Sequence, residues 1–480
     1  MKNMLNQSLM RKEEAFIYIL NKAVDNNYLR KPIVKFLDRY MHKKMTGDKL
    51  ILNTVQEKKY EFLSAMLHAA SRNLEKGYIK KEVAKKIINT LVRNSLLDNN
   101  KIKIIKEDFN SKYKIYPPNF IVLSPTQFCN LRCLGCYASS EAKLTAKLPY
   151  DVVDRIVGEA NNLFGDRFMT ISGGEPFLYK DEGKTLFDIW EKYSNMFFLV
   201  YTNGTQITKE VAERLAKLGN VTPAISVEGF EKETDYRRGK GIYKKILQAF
   251  ENLRNAGVPF GISVTATNKN VDVLLNDGFY DFYFNKQGAS YMWQFQLMPI
   301  GRAVDRTLML KPEQRVKLYK QWEKMLKKKY CIADFWNSAV LSNGCIAYGR
   351  KGGYFYIDWN GKIMPCVFVP FYVDNVKDIY SKNGTLADAL FSKFFENGRA
   401  WQEEYGLKDM KHPNNLLMPC SIRDHYKYFR ENIMTKEVKP EDKAAEESLK
   451  SKEYLKELDK FDKELEVLTI PIWKKNYLKK

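Results

Sequence analysis

Cys129, Cys133 and Cys136 fall within eight residues of a 480-residue chain that holds seven cysteines in all. Thiolates are ligands for zinc and for iron–sulfur clusters. Three on one loop can surround one face of a cube-shaped [4Fe–4S] cluster and leave one iron free for a small molecule. The same residues also fit a three-ligand zinc site, or three thiols that bind nothing. An odd total argues against a fully paired disulfide framework. The opening "MKNMLNQSLMRKEEAF" is polar and lacks an apolar h-region. No window nears the eighteen apolar residues of a membrane span. The expectation is a cytoplasmic protein with reduced cysteines, where such clusters serve metal binding or chemistry.

Hydrophobic residues make up 45% of the chain, as in a folded globular protein. Residues 1–98 read as helices: Phe16, Ile17, Ile19, Leu20, Ala23 and Val24 recur at helical spacing. So do Ile33, Phe36, Leu37, Tyr40 and Met41, with Pro32 as the first helical residue. From Pro117 the pattern changes. "NFIVLSPT", "FMTISGG", "FFLVYTNG", "VTPAISVEG", "FGISVTAT" and "SYMWQFQLMPIG" read as strands with amphipathic helices between them. This alternation predicts an α/β fold with a parallel sheet over residues 117–330. Residues 331–433 read as irregular and hold the other four cysteines. Residues 440–480 read as a charged helix and tail, with Leu455, Leu458, Phe461, Leu465 and Leu468 as its apolar positions.

The cysteine triad follows the first strand, at the end of the sheet where α/β folds bind ligands. One β/α unit later "ISGGEP" places Gly173, Gly174, Glu175 and Pro176 at the lip, where glycines let a backbone approach a ligand closely. Together these stretches resemble the radical S-adenosylmethionine (SAM) superfamily, whose signature is C-x3-C-x2-C after the first strand of a partial (β/α)6 barrel. The superfamily often has an aromatic residue just before the last cysteine; here Gly135 stands there and Tyr137 follows. The resemblance covers about residues 117–310. It implies a [4Fe–4S] cluster on Cys129, Cys133 and Cys136, whose fourth iron chelates SAM. The "GGEP" segment would bind the methionyl amino group. Asn203, a further candidate cofactor contact, ends the next strand; Ser226 and Glu228 end the one after, where the resemblance places a serine and an acidic residue near the SAM ribose or the substrate. Arg238 is the arginine expected to meet the SAM carboxylate. Each of these four, read alone, is equally an ordinary turn residue or surface charge. The implied activity is reductive cleavage of SAM to a 5′-deoxyadenosyl radical that takes hydrogen from an unactivated carbon. The implied partner is an electron donor such as ferredoxin or flavodoxin.

Cys345 and Cys366 flank Gly361 in a C-x15-G-x4-C pattern, and "YFYIDWNGKIMPC" reads as a hairpin turning at Asn360–Gly361. This resembles the opening of the auxiliary-cluster domains called SPASM and twitch. The cysteine-rich block that completes a SPASM domain is missing. The shorter twitch form is therefore implied, with a second [4Fe–4S] cluster on Cys345, Cys366 and Cys420. Cys331 is the first candidate for the fourth ligand; a buried apolar cysteine or a non-protein ligand is the alternative.

The substrate is read from charge. The net charge is +22, and the first hundred residues hold 20 Lys or Arg against 10 Asp or Glu. Lys31, Lys35, Arg39 and Lys43 fall four apart on one helix, opposite the Ile33–Leu37–Met41 stripe. Such a helix suits an anionic membrane surface. The tail "IPIWKKNYLKK" adds Trp473 and Tyr477 as interfacial anchors. The ordinary alternatives are a solvated helix face and a tryptophan docked on its own domain. The leading expectation is a peripheral membrane enzyme acting on lipid acyl chains, by modification or C–C joining. Peptide or protein modification is the alternative. Nucleic-acid modification is a third reading, and it lacks basic charge gathered beside aromatic platforms.

Overall fold

The computed structural model describes residues 2–97, 100–303 and 306–478. The boundary expected at residue 98 lies outside them. The six expected strands form: β1 (Phe120–Leu123), β2 (Phe168–Ile171), β3 (Phe197–Thr202), β4 (Val221–Val227), β5 (Gly261–Ala266) and β6 (Tyr291–Gln296). They lie side by side in chain order and all pair parallel. Helices such as Tyr150–Asn162 and Ile242–Ala256 make the crossovers. Helices cover the sheet, so a strand such as "FFLVYT" is apolar along almost its whole length. The sheet curls into a partial barrel, an α/β fold.

Three further strands join the same sheet. β7 (Ile332–Asp334) pairs with β6, and β8 (Tyr354–Ile357) pairs with the free edge of β1. β9 (Ile363–Met364) folds back on β8 through the turn at Asn360–Gly361. There Gly361 has φ +86°, and the Asp358 carboxylate accepts from Asn360 N and Lys362 N. The result is one nine-stranded sheet. The stretch from residue 331, expected as irregular, thus extends both edges of the barrel. The reason is backbone pairing: an open β1 edge leaves unpaired amides, and "YFYI" covers them in register from Phe120↔Tyr354 to Leu123↔Ile357. One hydrophobic cluster runs from Val55 to Tyr477, so the two regions share a core.

The N-terminal region is helical, with α1 (Lys2–Asp25), α2 (Asn27–Met45) and α3 (Asn53–Glu75). Helix α2 starts five residues before Pro32. The Asn26 side chain caps it by accepting from Tyr28 N and Leu29 N. Buried Arg30 then ties it to the Ala23 and Val24 carbonyls. Pro32 sits inside the helix on its exposed side. The Ile33–Leu37–Met41 stripe faces the protein: Leu37 is 2% exposed, and Ile33 and Met41 are half-buried. The tail is also spent inward. Trp473 and Tyr477 are buried and stacked on each other, and the Tyr477 and Tyr319 hydroxyls pair at 3.1 Å. Neither ring is free to act as an interfacial anchor, because each already has an apolar partner in the core. The charged C-terminal helix breaks once. It runs as Lys443–Lys450 and Lys452–Trp473, with Ser451 capping the second piece.

Candidate active site

The loop after β1 carries the cysteine triad, and all three thiols line one cavity of about 220 Å³. Among the described residues, no three His, Cys, Asp or Glu side chains converge as a single-ion site requires. Gly135 turns the loop with φ +64°. Two arginines far away in sequence hold its carbonyls. Arg237 donates to Leu134 O (3.0 Å) and Gly135 O (3.3 Å). Arg302 donates to Cys133 O (3.0 Å), Ser139 O (2.8 Å) and Ser140 O (3.0 Å). Sequence reasoning missed Arg302; its role exists only through the chain's return after β6, which no local pattern announces. Burial pushes the Cys129 thiol up to about 12 and raises Cys133, while Arg238 pulls Cys133 back. Desolvated thiols resist ionising alone, and a cationic metal core reverses that balance.

The glycine lip abuts this loop. Gly174 N donates to Thr126 O and Glu175 N to Phe128 O, both at 2.8 Å. Gly173 N donates to the Tyr137 hydroxyl at 3.1 Å, and that hydroxyl donates to Ser172 Oγ at 3.2 Å. The amides of this lip are therefore occupied, and what it offers a ligand is carbonyl oxygen, an acceptor for an ammonium group. A side chain does not fit at Gly174: a Cβ would lie 2.1 Å from Phe128 O.

The sequence-predicted residues divide into two groups. Gly173, Gly174, Asn203, Ser226 and Arg238 line the cavity with the three cysteines. Glu175, Pro176 and Glu228 stand behind its wall. Glu175 is fully buried and accepts from Asn203 N (2.8 Å), Thr202 Oγ1 (2.7 Å) and Phe177 N (3.3 Å). It fastens the β2 lip to the end of β3, and burial raises its carboxyl to about 7. Glu228 Oε1 accepts from both Arg237 and Arg238, and its Oε2 is buried with no partner. Arg237 is committed to the cysteine loop. Arg238 keeps one face toward the cavity, with Nη1 4.0 Å from Cys133 Sγ. Asn203 Nδ2 lies 3.7 Å from Cys129 Sγ. Thiols on one wall, with carbonyls and a guanidinium beside them, form a donor set that fits a [4Fe–4S] cluster with an amino acid chelated to it.

Cys345, Cys366 and Cys420 line a second cavity of about 190 Å³. Trp293, Phe335 and Ile346 belong to both cavities and stand between them. The Tyr354 hydroxyl and Cys366 Sγ are 2.9 Å apart. Cys420 N donates to Asp424 at 3.0 Å, and Asp424 forms a fully buried ion pair with Arg315. The structure does not bring Cys331 to this set. Its thiol is buried beside β6, with Arg72 as its charged neighbour, and lies outside the cavity lining. No further Cys, His or carboxylate lines that cavity among the described residues. Removing Asp424 strands a buried guanidinium, a change that costs about 3–5 kcal/mol. Asp424→Ala should lower the denaturation midpoint accordingly in a urea titration; an unchanged midpoint would show that the pair is dispensable.

The Radical SAM superfamily profile matches residues 123–272. The AdoMet-dependent heme synthase of Methanosarcina barkeri is 23% identical over 341 residues, 65% of this chain and 89% of that protein. The mycofactocin maturase MftC of Mycolicibacterium smegmatis is 30% identical over 328 residues, 64% of this chain and 76% of that protein. Streptococcus suis SuiB bound to the precursor peptide SuiA superposes with a TM-score of 0.47 at 17% identity, covering 81% of this chain and 92% of that one. A thiol triad and glycine lip on one cavity at the end of a parallel sheet thus meet a relative matched over three quarters of its length. The chain belongs to the radical SAM superfamily: it is an enzyme that uses SAM and a [4Fe–4S] cluster.

Proposed function

We propose that this enzyme modifies a peptide or protein precursor by abstracting hydrogen from an apolar side chain. Cys129, Cys133 and Cys136 would hold the SAM-binding cluster, with the Gly173 and Gly174 carbonyls and Arg238 around the methionyl end. Cys345, Cys366 and Cys420 would hold an auxiliary [4Fe–4S] cluster. When bound, the cluster and SAM supply a carbon radical able to take hydrogen from an unactivated position. The chain's own residues orient the donor and keep water out. The reductant would be a one-electron carrier such as ferredoxin or flavodoxin.

The observation that carries the proposal is the first cavity's wall. Among the described residues, Arg237 and Arg238 are its only charged side chains, and both turn onto Glu228. Phe120, Phe168, Leu199, Trp293, Phe295 and Phe335 are among the apolar side chains that share the rest with uncharged polar groups such as Thr170, Ser263 and Gln296. Such a wall accepts an apolar group and leaves a polar backbone outside. The relative matched at 30% identity is named a maturase, which supports a precursor substrate. The same wall favours a second reading, a lipid acyl chain, so the two are separated by experiment. Cells are grown in deuterated medium, and their extract is divided into peptide and lipid fractions. Each fraction is incubated with the reduced, reconstituted enzyme and SAM. Abstraction moves deuterium from substrate carbon to the 5′ carbon of deoxyadenosine. Label arising from the peptide fraction is expected. Label arising only from lipid would replace the proposal with the second reading.

A further inference from the structure

Helix α2 keeps an unpartnered face. Its inward side is spent: Val34 and Leu37 are buried, and Asp38 is held by Tyr60 and Ser64 of α3. The outward side carries Tyr28, Leu29, Phe36 and Tyr40, exposed by 93%, 46%, 55% and 47%. Phe36 and Tyr40 stack on each other, one turn apart, with ring centroids 6.4 Å from each other. Lys31, Lys35, Arg39 and Lys43 are exposed among them. Among the described residues no carboxylate lies within ion-pair distance of these four, and the exposed face contains no Asp or Glu of its own. Four large apolar side chains left in water are costly unless something covers them.

We infer that this face of α2 docks on an anionic lipid bilayer. The sequence alone pointed to the same helix but to other apolar residues. Ile33, Leu37 and Met41 serve the protein core, whereas Leu29, Phe36 and Tyr40 remain for the membrane. A 19-residue helix lying flat offers a strip about 28 Å long at 1.5 Å per residue. Apolar and aromatic side chains along that strip enter the headgroup boundary, and the flanking cations meet lipid phosphates. A peptide ligand would need a groove or a sheet edge. One convex helix face provides neither, so the bilayer is the occupant that fits. The inference does not rest on the substrate reading, because a membrane-docked enzyme can act on a peptide or on a lipid.

The test is flotation of the full-length reconstituted protein with vesicles of phosphatidylcholine alone or of phosphatidylcholine mixed with anionic phosphatidylglycerol. Binding is expected only with the anionic vesicles and should weaken at high salt, since exposed charges are screened over about 8 Å at physiological ionic strength. Each basic residue near such a surface raises partitioning about fivefold. Replacing Lys35, Arg39 and Lys43 with Gln should therefore weaken binding on the order of a hundredfold. Phe36→Ser with Tyr40→Ser should weaken it without changing its salt dependence. All these positions are solvent-exposed, and the variants should still cleave SAM, which separates loss of docking from loss of the enzyme. Failure of the wild type to float with anionic vesicles at low salt overturns the inference. So does flotation unchanged in both variants. Binding to soluble poly-glutamate without flotation would assign the face to an acidic peptide. A dimer that the serine variants dissolve, again without flotation, would assign it to a second copy of the chain. Either result also overturns the inference.

Discussion

Cys133→Ala abolishes reductive cleavage of SAM to 5′-deoxyadenosine. Three thiols line the cavity and, among the described residues, no other Cys, His or carboxylate does, so none of these can replace the lost one. Two thiolates cannot hold a cluster with one iron set apart for a ligand. The fully reconstituted wild type binds about eight irons if both thiol sets carry [4Fe–4S] clusters, and the Cys129/Cys133/Cys136 triple-Ala variant keeps about four. The second number depends on the fold. The Cys345 set occupies its own cavity, and its ligand loops are held by Tyr354, Gln402 and the Arg315–Asp424 pair. None of these belongs to the first loop. Iron analysis and the charge-transfer absorption of the reconstituted proteins measure both. Undiminished SAM cleavage in Cys133→Ala would remove the cluster from this loop, and a triple variant without residual iron–sulfur absorption would remove the auxiliary cluster.

Gly174→Ala lowers SAM-dependent turnover about a hundredfold, the cost of displacing a binding group by about 1 Å. Its new methyl would meet Phe128 O at 2.1 Å and Gln127 O at 2.7 Å, both of them backbone that cannot rotate away. The lip must retreat, and its bonds from Gly174 N to Thr126 O and from Glu175 N to Phe128 O break with it. The loss should appear first as weaker SAM binding, measured by equilibrium dialysis on protein of unchanged iron content. Gly47→Ala is the neutral comparison, because its methyl meets nothing closer than 3.9 Å. Equal SAM affinity in Gly174→Ala and the wild type would show that the lip does not contact SAM.

Sequence spacing alone was enough for the order of the barrel. Most of its strands are apolar runs bounded by turn residues, and the long crossovers are amphipathic helices, so the alternation is written locally. The same holds for the cysteine loop and the glycine lip, where the chemistry needs particular residue types at fixed short spacings. Helix α2 was also legible, although its start was not. Pro32 suggested a first turn, and the cap at Asn26 with the Arg30 anchor overrode it. A short polar side chain six residues upstream carries little signal until its hydrogen bonds can be seen.

Tertiary structure alone decided which residues reach the cavity. Glu175 and Glu228 occupy motif positions, yet both carboxylates are spent on neighbouring groups behind the wall. Arg302 carries no motif and holds three carbonyls of the cysteine loop. Cys331 stands near the other cysteines in sequence and apart from them in space, because it leads into the strand that extends the barrel edge. The tail shows the same division. "IPIWKKNYLKK" has the composition of a membrane anchor, and Trp473 and Tyr477 are buried in the protein. Composition determines that an aromatic side chain will seek an apolar surface. Which surface it finds, the bilayer or the protein's own core, depends on contacts between segments hundreds of residues apart, and those exist only once the chain has folded.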